Sequence, residues 1–225
     1  MQRIMEPIFE IGYLLFAFIA GGVLLFYYKK KNDSKILLLA LMTLLLGAGD
    51  AFHLIPRMIG LLGDGLENHT FALGLGKLIT SVTMTVFYLL FYFFFVKKYD
   101  KENTRALTIV LFVLAAIRIA LLALPQNGWF DADPSFTFAI IRNVPFLLLG
   151  GVFIGVSFVW TKGDSLFKWT YLLVFFSFLF YMGTVIFAPT IPLLGLLMIP
   201  KTVCYILIVV SALRYAKRAD EAALS

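Results

Sequence analysis

The sequence predicts an all-α, polytopic protein of the cell membrane with seven transmembrane helices, the N-terminus outside and the C-terminus in the cytoplasm. Three observations predict this. Apolar residues make up 61% of the 225 residues, and the mean hydropathy is +0.94, which is too apolar for an ordinary soluble domain. Several apolar runs exceed the roughly 18 residues that indicate a membrane-spanning helix. Basic residues occupy alternate loops, which orients the spans.

Short polar segments separate the predicted spans. KKKNDSK follows the first span, LGDGLENH the second, KKYDKENTR the third, PQNGWFDADPS the fourth and TKGDSLFK the fifth. The sixth break, 188–190, is short, but without it the last two spans would form one segment too long for a single crossing. One domain, 1–225, therefore contains spans at 8–28, 36–62, 70–96, 106–124, 135–160, 168–188 and 190–214.

The first span is expected to be a retained helix rather than a cleaved signal. No small-residue cleavage site follows the first apolar run near Gly21, and Glu6 and Glu10 precede or begin that run.

The distribution of basic residues predicts the orientation. The first, third and fifth loops and the C-terminal tail hold 13 of the 19 basic residues, whereas the second, fourth and sixth loops hold none and the N-terminal arm holds only Arg3. The positive-inside rule then places the N-terminus outside. Because the positive charge lies at the membrane surface, the net charge of +6 does not indicate a nucleic-acid partner.

Charged residues inside the spans are the strongest functional signal. Such groups are costly in the hydrocarbon region and mark binding sites or ion pathways. At about 1.5 Å per residue they all fall in the outer half of the membrane or near its middle. Their excess of cations over anions predicts a cationic pocket for an anionic amphiphile, a membrane lipid or an anionic metabolite. The embedded residues are Asp50, Arg57, Lys77, Arg118, Arg142 and Lys201.

Structural explanations for some of these charges stay open. Arg57 and Arg118 lie near enough to the interface for their long side chains to reach lipid head groups. Asp50 and Lys201 share a depth, so they could form an ion pair that only joins two helices.

Polar side chains at helical spacing extend the predicted pocket. Ser81 shares a helix face with Lys77, and Tyr205 shares one with Lys201, although such hydroxyls also join helices by hydrogen bonds. The complete predicted ligand-binding set is Arg57, Lys77, Ser81, Arg118, Arg142, Asn143, Tyr181, Lys201 and Tyr205.

Two backbone features are expected in the fifth span. Pro145, close after Arg142, predicts a bend where polar groups cluster. Gly151 and Gly155 have the spacing of a small-residue pair and predict a close contact with another helix.

Asp50 and His53 are the candidate catalytic residues. They are three positions apart, and Arg57 follows four positions later, so all three share one helix face. A carboxylate and an imidazole can relay protons to and from water, although His53 could equally be a hydrogen-bonded structural group. With one cysteine and two histidines, the chain offers no metal site, and no cofactor is expected.

Two segments, LLLGAGDAFHLIPR and FALGLGKLITSVTMTVFYLLFYF, resemble the lysoplasmalogenase-like membrane family over about a quarter of the chain. The resemblance implies a hydrolase of vinyl-ether or lyso lipids. The family typically has eight spans, a histidine in the helix after the Gly-Asp helix and a second acidic residue later in the chain. This chain has seven predicted spans, no histidine after position 69 and no embedded acid except Asp50. The matching positions are Gly49, Asp50, Leu54, Pro56, Arg57, Phe71, Gly74, Gly76 and Tyr88.

Two other function classes remain open. Seven spans with a lysine inside the last one are typical of retinal proteins, in which Lys201 would form the Schiff base and Asp50 would be its counter-ion. The flanking residues IPKTVCY lack the upstream acid usual in microbial rhodopsins. A small transporter is the other class, but no internal repeat supports it. The sequence leaves open whether a reaction is catalysed and whether the chain forms homo-oligomers.

Overall fold

The computed structural model describes residues 2–131 and 133–222, with side chains from Met5 onward, and these residues form an all-helical bundle. Short 3-10 turns precede α3 and α8 and lie between α4 and α5. The α-helices are α1 (Gln2–Lys31), α2 (Ser34–Leu62), α3 (Thr70–Lys98), α4 (Arg105–Leu122), α5 (Phe136–Ile141), α6 (Val144–Trp160), α7 (Thr170–Phe187) and α8 (Met198–Glu221).

Seven of these segments are long and apolar enough to cross a membrane, which confirms the all-α class and the number of spans. The α3 and α8 spans include their preceding 3-10 turns, and α5 and α6 together form one span. The segments are Met5–Lys31, Ser34–Leu62, Leu66–Lys98, Arg105–Leu122, Phe136–Trp160, Thr170–Phe187 and Pro192–Glu221.

The fifth span is broken where Pro145 predicts a bend. Helix α5 ends at Ile141, and α6 starts at Val144 with Pro145 in its first turn, where the missing N–H costs no hydrogen bond. The break places Arg142 and Asn143 at the junction. Asn143 Nδ2 donates to the Ala139 carbonyl at 2.8 Å, which satisfies a carbonyl at the end of α5.

Aromatic side chains form the core along α3. Phe87, Phe91 and Phe95 are fully buried, and they contact aromatic residues of neighbouring helices. Phe153 of α6 stacks on Phe95 with ring centroids 5.6 Å apart, and its ring lies 5.0 Å from that of Phe91. Such pairs contribute about 0.5–1.5 kcal/mol each beyond area burial. Helix α3 is therefore the central element of the bundle.

Helices α2 and α3 approach closely at glycine. A Cβ at Gly76 would overlap the backbone of Phe52 and His53. At Gly151 and Gly155, by contrast, a Cβ would have no atom of the described residues within 4 Å, apart from its own helix and chain neighbours. The prediction of a close helix contact at that pair is wrong, because both glycines face away from neighbouring helices. At Gly76, in contrast, the absence of a side chain lets the backbones of α2 and α3 approach each other closely.

The ends of α1, α3 and α8 and the loop before α7 carry the lysines and arginines at one end of the bundle, here called the basic end. Asp164 organises this end. Its carboxylate accepts hydrogen bonds from Lys98 Nζ and Tyr99 OH, each at 2.9 Å, and from the N–H groups of Leu166 at 2.7 Å and Phe167 at 3.0 Å. Burial alone raises the pKa of Asp164, but the hydrogen bonds outweigh burial and hold the pKa below its ordinary value.

We predict a pH-dependent effect of Asp164→Asn. A carboxyl whose pKa is lowered by folding adds stability above its unfolded pKa, and this contribution is lost as pH falls through the folded pKa. The variant should have a lower Tm in detergent at neutral pH, and the difference should narrow as pH approaches about 4. Asp100→Asn, at an exposed position on the neighbouring loop, is the control. A difference that does not change with pH would contradict the ionic role of Asp164.

We predict that Gly76→Ala destabilises the bundle. Its methyl group would push α2 from α3, and overpacking of this kind costs about 1–3 kcal/mol. The Tm in detergent should fall clearly, whereas Gly151→Ala, whose methyl group meets open space, should leave it within the range of ordinary surface substitutions. Equal Tm values for the two variants would show that the close approach of α2 and α3 at Gly76 does not contribute to the stability of the bundle.

Candidate functional site

A cavity of about 70 Å³ lies between α1, α2, α3 and α8, far from the basic end. At about 10–15 Å³ for each water-sized group, it has room for roughly five such groups. Apolar side chains, among them Phe9, Leu54 and Met198, form part of its wall. Its polar and charged lining consists of Glu6, Glu10, Tyr13, Asp50, His53, Arg57, Thr80, Lys201 and Thr202.

Arg57 joins α2 to α1 through two carboxylates. Its Nη2 lies 3.0 Å from Glu6 Oε2, and its Nε lies 3.3 Å from Glu10 Oε1. Glu6 and Glu10 are 5% and 9% exposed. The expectation that Asp50 is the only embedded acid is therefore wrong. Of the two alternatives left open for Arg57, the structure shows contacts with protein carboxylates. Helix α1 starts at Gln2, earlier than predicted, and carries both acids into the bundle.

Glu6 and Glu10 are the site residues that sequence reasoning missed. Their signal was their spacing of four residues, which puts both carboxylates on one face of a helix. They lie just before or at the start of the first apolar run, where span boundaries are least certain.

Asp50 and Lys201 face the same cavity without touching. Asp50 Oδ2 accepts a hydrogen bond from the Tyr13 hydroxyl at 2.6 Å. The two charges interact electrostatically, but they are not among the ion pairs of 4.0 Å or less in the described residues. The Lys201 ammonium, on a residue only 7% exposed, lies 5.6 Å from the ring centroids of both Tyr181 and Tyr205. The direct ion pair that the sequence left open is not formed.

His53 lines the cavity on the same face of α2. Its Nδ1 is buried and has no hydrogen-bond partner among the described residues. Lys77, Arg57 and Lys201 act on the ring electrostatically. Asp50 and His53 thus share a cavity, but they form no hydrogen bond with each other in the described structure. The Asp50 carboxylate is hydrogen-bonded to the Tyr13 hydroxyl.

Arg118 and Arg142 lie in a separate region and stack on aromatic rings. The Arg118 guanidinium carbon is 3.3 Å from the centroid of Phe146 and that of Arg142 is 4.1 Å from Trp129. Arg142 Nη1 also donates to Asn127 Oδ1 at 2.9 Å, which ties it to the loop after α4. Arg118 is 1% exposed, so the expectation that it reaches head groups is wrong. Stacking on rings suits the planar guanidinium.

Several tyrosine hydroxyls join helices, whereas most serine and threonine hydroxyls bond to a carbonyl of their own helix. The Tyr181 hydroxyl donates to Asn143 Oδ1 at 3.0 Å, and the Tyr205 and Tyr88 hydroxyls are 3.0 Å apart. Ser81 Oγ donates to the carbonyl of Lys77 within its own helix, and the Lys77 side chain is exposed.

Four of the predicted site residues therefore line the cavity, and the other seven do not. Asp50, His53, Arg57 and Lys201 line it. The predicted residues outside its lining are Lys77, Ser81, Arg118, Arg142, Asn143, Tyr181 and Tyr205.

The formal charge of the cavity lining differs from the surplus counted along the sequence. Counted as formal charges among the described residues, three carboxylates and two cations line the cavity, whereas the remaining embedded cations lie elsewhere. The described residues include no cluster of three metal-ligating side chains.

Comparison of the chain with protein-family models, curated proteins and solved structures finds no match. The resemblance to the lysoplasmalogenase-like family remains a prediction from the sequence, and the geometry of the cavity carries the functional conclusion.

We predict that Arg57 and Glu10 are energetically coupled. Arg57→Met leaves buried carboxylates without their cation and should lower the Tm in detergent. In a Glu10→Gln background the same substitution should cost less, with a coupling of about 0.5–3 kcal/mol for groups in contact. Lys162→Met, at an exposed lysine on the loop before α7, is the control and should leave the Tm unchanged. Strict additivity of the Arg57 and Glu10 substitutions would show that the contact does not stabilise the protein.

Proposed function

We propose that the chain is an integral protein of the cell membrane that binds the anionic group of an amphiphile or of a small metabolite in the cavity between α1, α2 and α8. The basic end lies in the cytoplasm and the N-terminus outside, in accordance with the positive-inside rule. The cavity then belongs to the outer half of the bundle, which a ligand reaches from the outer leaflet or from the medium.

The observation that carries the proposal is the position of Lys201. Arg57 already has Glu6 and Glu10 within ion-pair distance. The Lys201 ammonium is buried, lines the cavity and is flanked by aromatic rings, without a carboxylate among its ion-pair contacts in the described part of the chain. A buried charge is costly when unpaired, by a few kcal/mol even on the gentler insertion scales. An anionic ligand group beside Lys201 would remove that cost.

The size and lining of the cavity support a small polar group rather than a whole amphiphile. Apolar residues line part of the wall, as in most ligand sites, where few polar groups fix the orientation. For an amphiphile, only the head group enters, and the hydrocarbon chain stays in the lipid phase.

The binding proposal predicts stabilisation by anions that depends on Lys201. Purified protein in detergent is titrated with a lysophosphatidic acid, a fatty acid and a small dicarboxylate while the Tm is measured. A ligand at a hundred times its Kd stabilises by about 2.7 kcal/mol, so at least one should raise the Tm by several degrees. Lys201→Met should lose the increase, and Lys201→Arg should keep part of it.

Lys162→Met is the matched control, because Lys162 is exposed on the loop before α7, far from the cavity. It should respond to anions as the wild type does. The proposal would be contradicted if an anion stabilised Lys201→Met as much as it stabilised the wild type. It would also be contradicted if no anion stabilised the wild type or any variant.

A second candidate is a lipid hydrolase that uses Asp50 and His53, as the resemblance implies. It is supported by the presence of both side chains in one cavity and by the Nδ1 of His53, which has no hydrogen-bond partner among the described residues. For a lyso lipid ester, a water in the cavity gives a proton to His53 as its oxygen adds to the carbonyl carbon, and the proton passes to the leaving glycerol oxygen as the acyl C–O bond breaks. For a vinyl ether, a proton is first added to the double-bond carbon distal to the ether oxygen, and water then adds to the other carbon to give a hemiacetal, which separates into aldehyde and alcohol.

Incubation with lysoplasmalogen and lysophospholipid tests the second candidate. Wild-type protein should release the aldehyde or the fatty acid, and Asp50→Asn and His53→Gln should each reduce the rate by about 100-fold or more. Product formation at the same rate by the wild type and both variants would exclude these roles.

A further inference from the structure

The cavity presents charges of both signs to a ligand. Lys201 contributes the cation that lacks a close carboxylate, and Asp50 lines the same cavity. Since these two groups interact electrostatically but are more than 4.0 Å apart, the space beside them is open to a group that contacts both.

Glu10 adds a second unsatisfied acceptor. One of its oxygens faces Arg57 at 3.3 Å, while Oε2 is buried and has no hydrogen-bond partner among the described residues. A buried carboxylate oxygen that accepts no hydrogen bond is costly, and native proteins rarely contain one. A ligand that brings N–H donors would satisfy it.

The balance of charge also disfavours a ligand with only an anionic group. Among the described residues, the lining holds three carboxyl groups beside its two cations, and an ionised carboxyl group repels a further anion strongly in a low-dielectric setting. A ligand that brings an ammonium group together with its anion leaves the balance unchanged.

We propose that the ligand is a short zwitterion, an ammonium and a carboxylate joined as in an α-amino acid, with its carboxylate at Lys201 and its ammonium at Asp50 or Glu10. This inference rests on the proposed anion binding at Lys201 and specifies the ligand. The room for roughly five water-sized groups matches the backbone part of an amino acid. The same chemistry occurs in a free amino acid and in a serine lipid head group.

The test compares zwitterionic ligands with ligands that lack one or both of the charged groups of the zwitterion. Alanine is compared with propionate, which lacks the ammonium, and with ethylamine, which lacks the carboxylate. Lysophosphatidylserine is compared with lysophosphatidylglycerol of the same chain length. Affinities for the full-length protein in detergent are measured by calorimetry, and Tm values provide a second readout.

The expected result is that at least one zwitterion binds about tenfold or more tighter than its matched anion. Glu10→Gln or Asp50→Asn should bring the two affinities within about twofold, since the ammonium loses its partner, while Lys201→Met should weaken the zwitterion and the anion alike. Lys162→Met should retain the wild-type preference. Tight binding of alanine indicates a free amino acid, and tight binding of lysophosphatidylserine alone indicates the head group; either result supports the shared chemistry.

Two results would overturn the inference, and only the second would also overturn the proposed anion binding at Lys201. If propionate or lysophosphatidylglycerol binds as tightly as its zwitterionic partner and needs Lys201, the zwitterion is excluded while anion binding stands. If no ligand binds, or if Lys201→Met binds as the wild type does, anion binding at the cavity fails with it. Because each variant is also tested for its Tm without ligand, a variant that does not fold is recognised before its affinity is interpreted.

Discussion

The contact of Arg57 with Glu6 and Glu10 is the interaction on which the arrangement of the first two helices depends. A guanidinium and two carboxylates are each costly in the hydrocarbon region, and they are acceptable there only in one another's presence. Because the acids lie on α1 and the base on α2, pairing fixes how the two helices lie along each other. That register brings Tyr13 of α1 to Asp50 of α2, where the hydroxyl donates at 2.6 Å. The polar wall of the cavity follows from the same register.

Aromatic rings stabilise embedded cations that have no carboxylate. Arg118 stacks on Phe146, Arg142 on Trp129, and the Lys201 ammonium lies near two tyrosine rings. A ring face attracts a cation without carrying a charge that itself needs desolvation, so a bundle with 16% aromatic residues can bury cations at less cost than an aliphatic one. Of the five embedded cations, Arg57 thus pairs with carboxylates, Arg118 and Arg142 stack on rings, Lys201 lies at the cavity and Lys77 is exposed.

Hydropathy and loop chemistry were sufficient to predict the seven spans, because each crossing must be long, apolar and bounded by polar residues. Pro145 was sufficient to predict the break before α6, because proline constrains the residues before it. What could not be predicted is which charges meet. Glu6 and Glu10 depend on where α1 begins, and contacts between helices depend on their rotation about their own axes. Gly155 shows the limit of spacing alone, since a small residue permits a close contact only if a neighbouring helix lies there.

The two cations at the cavity are suited to different tasks. Arg57 has a planar fork of donors, and its two carboxylate partners fix it in place, so it holds helices together. Lys201 has a compact ammonium on a flexible stem, and rings near it attract the charge without directing its three donors. A group held in this way can turn toward an arriving anion without first breaking an ion pair, whereas Arg57 would have to give up Glu6 or Glu10. Binding energy at Lys201 is therefore not offset by the loss of an ion pair, and this difference is the physical reason that we place the anionic group of the proposed ligand beside Lys201 and not beside Arg57.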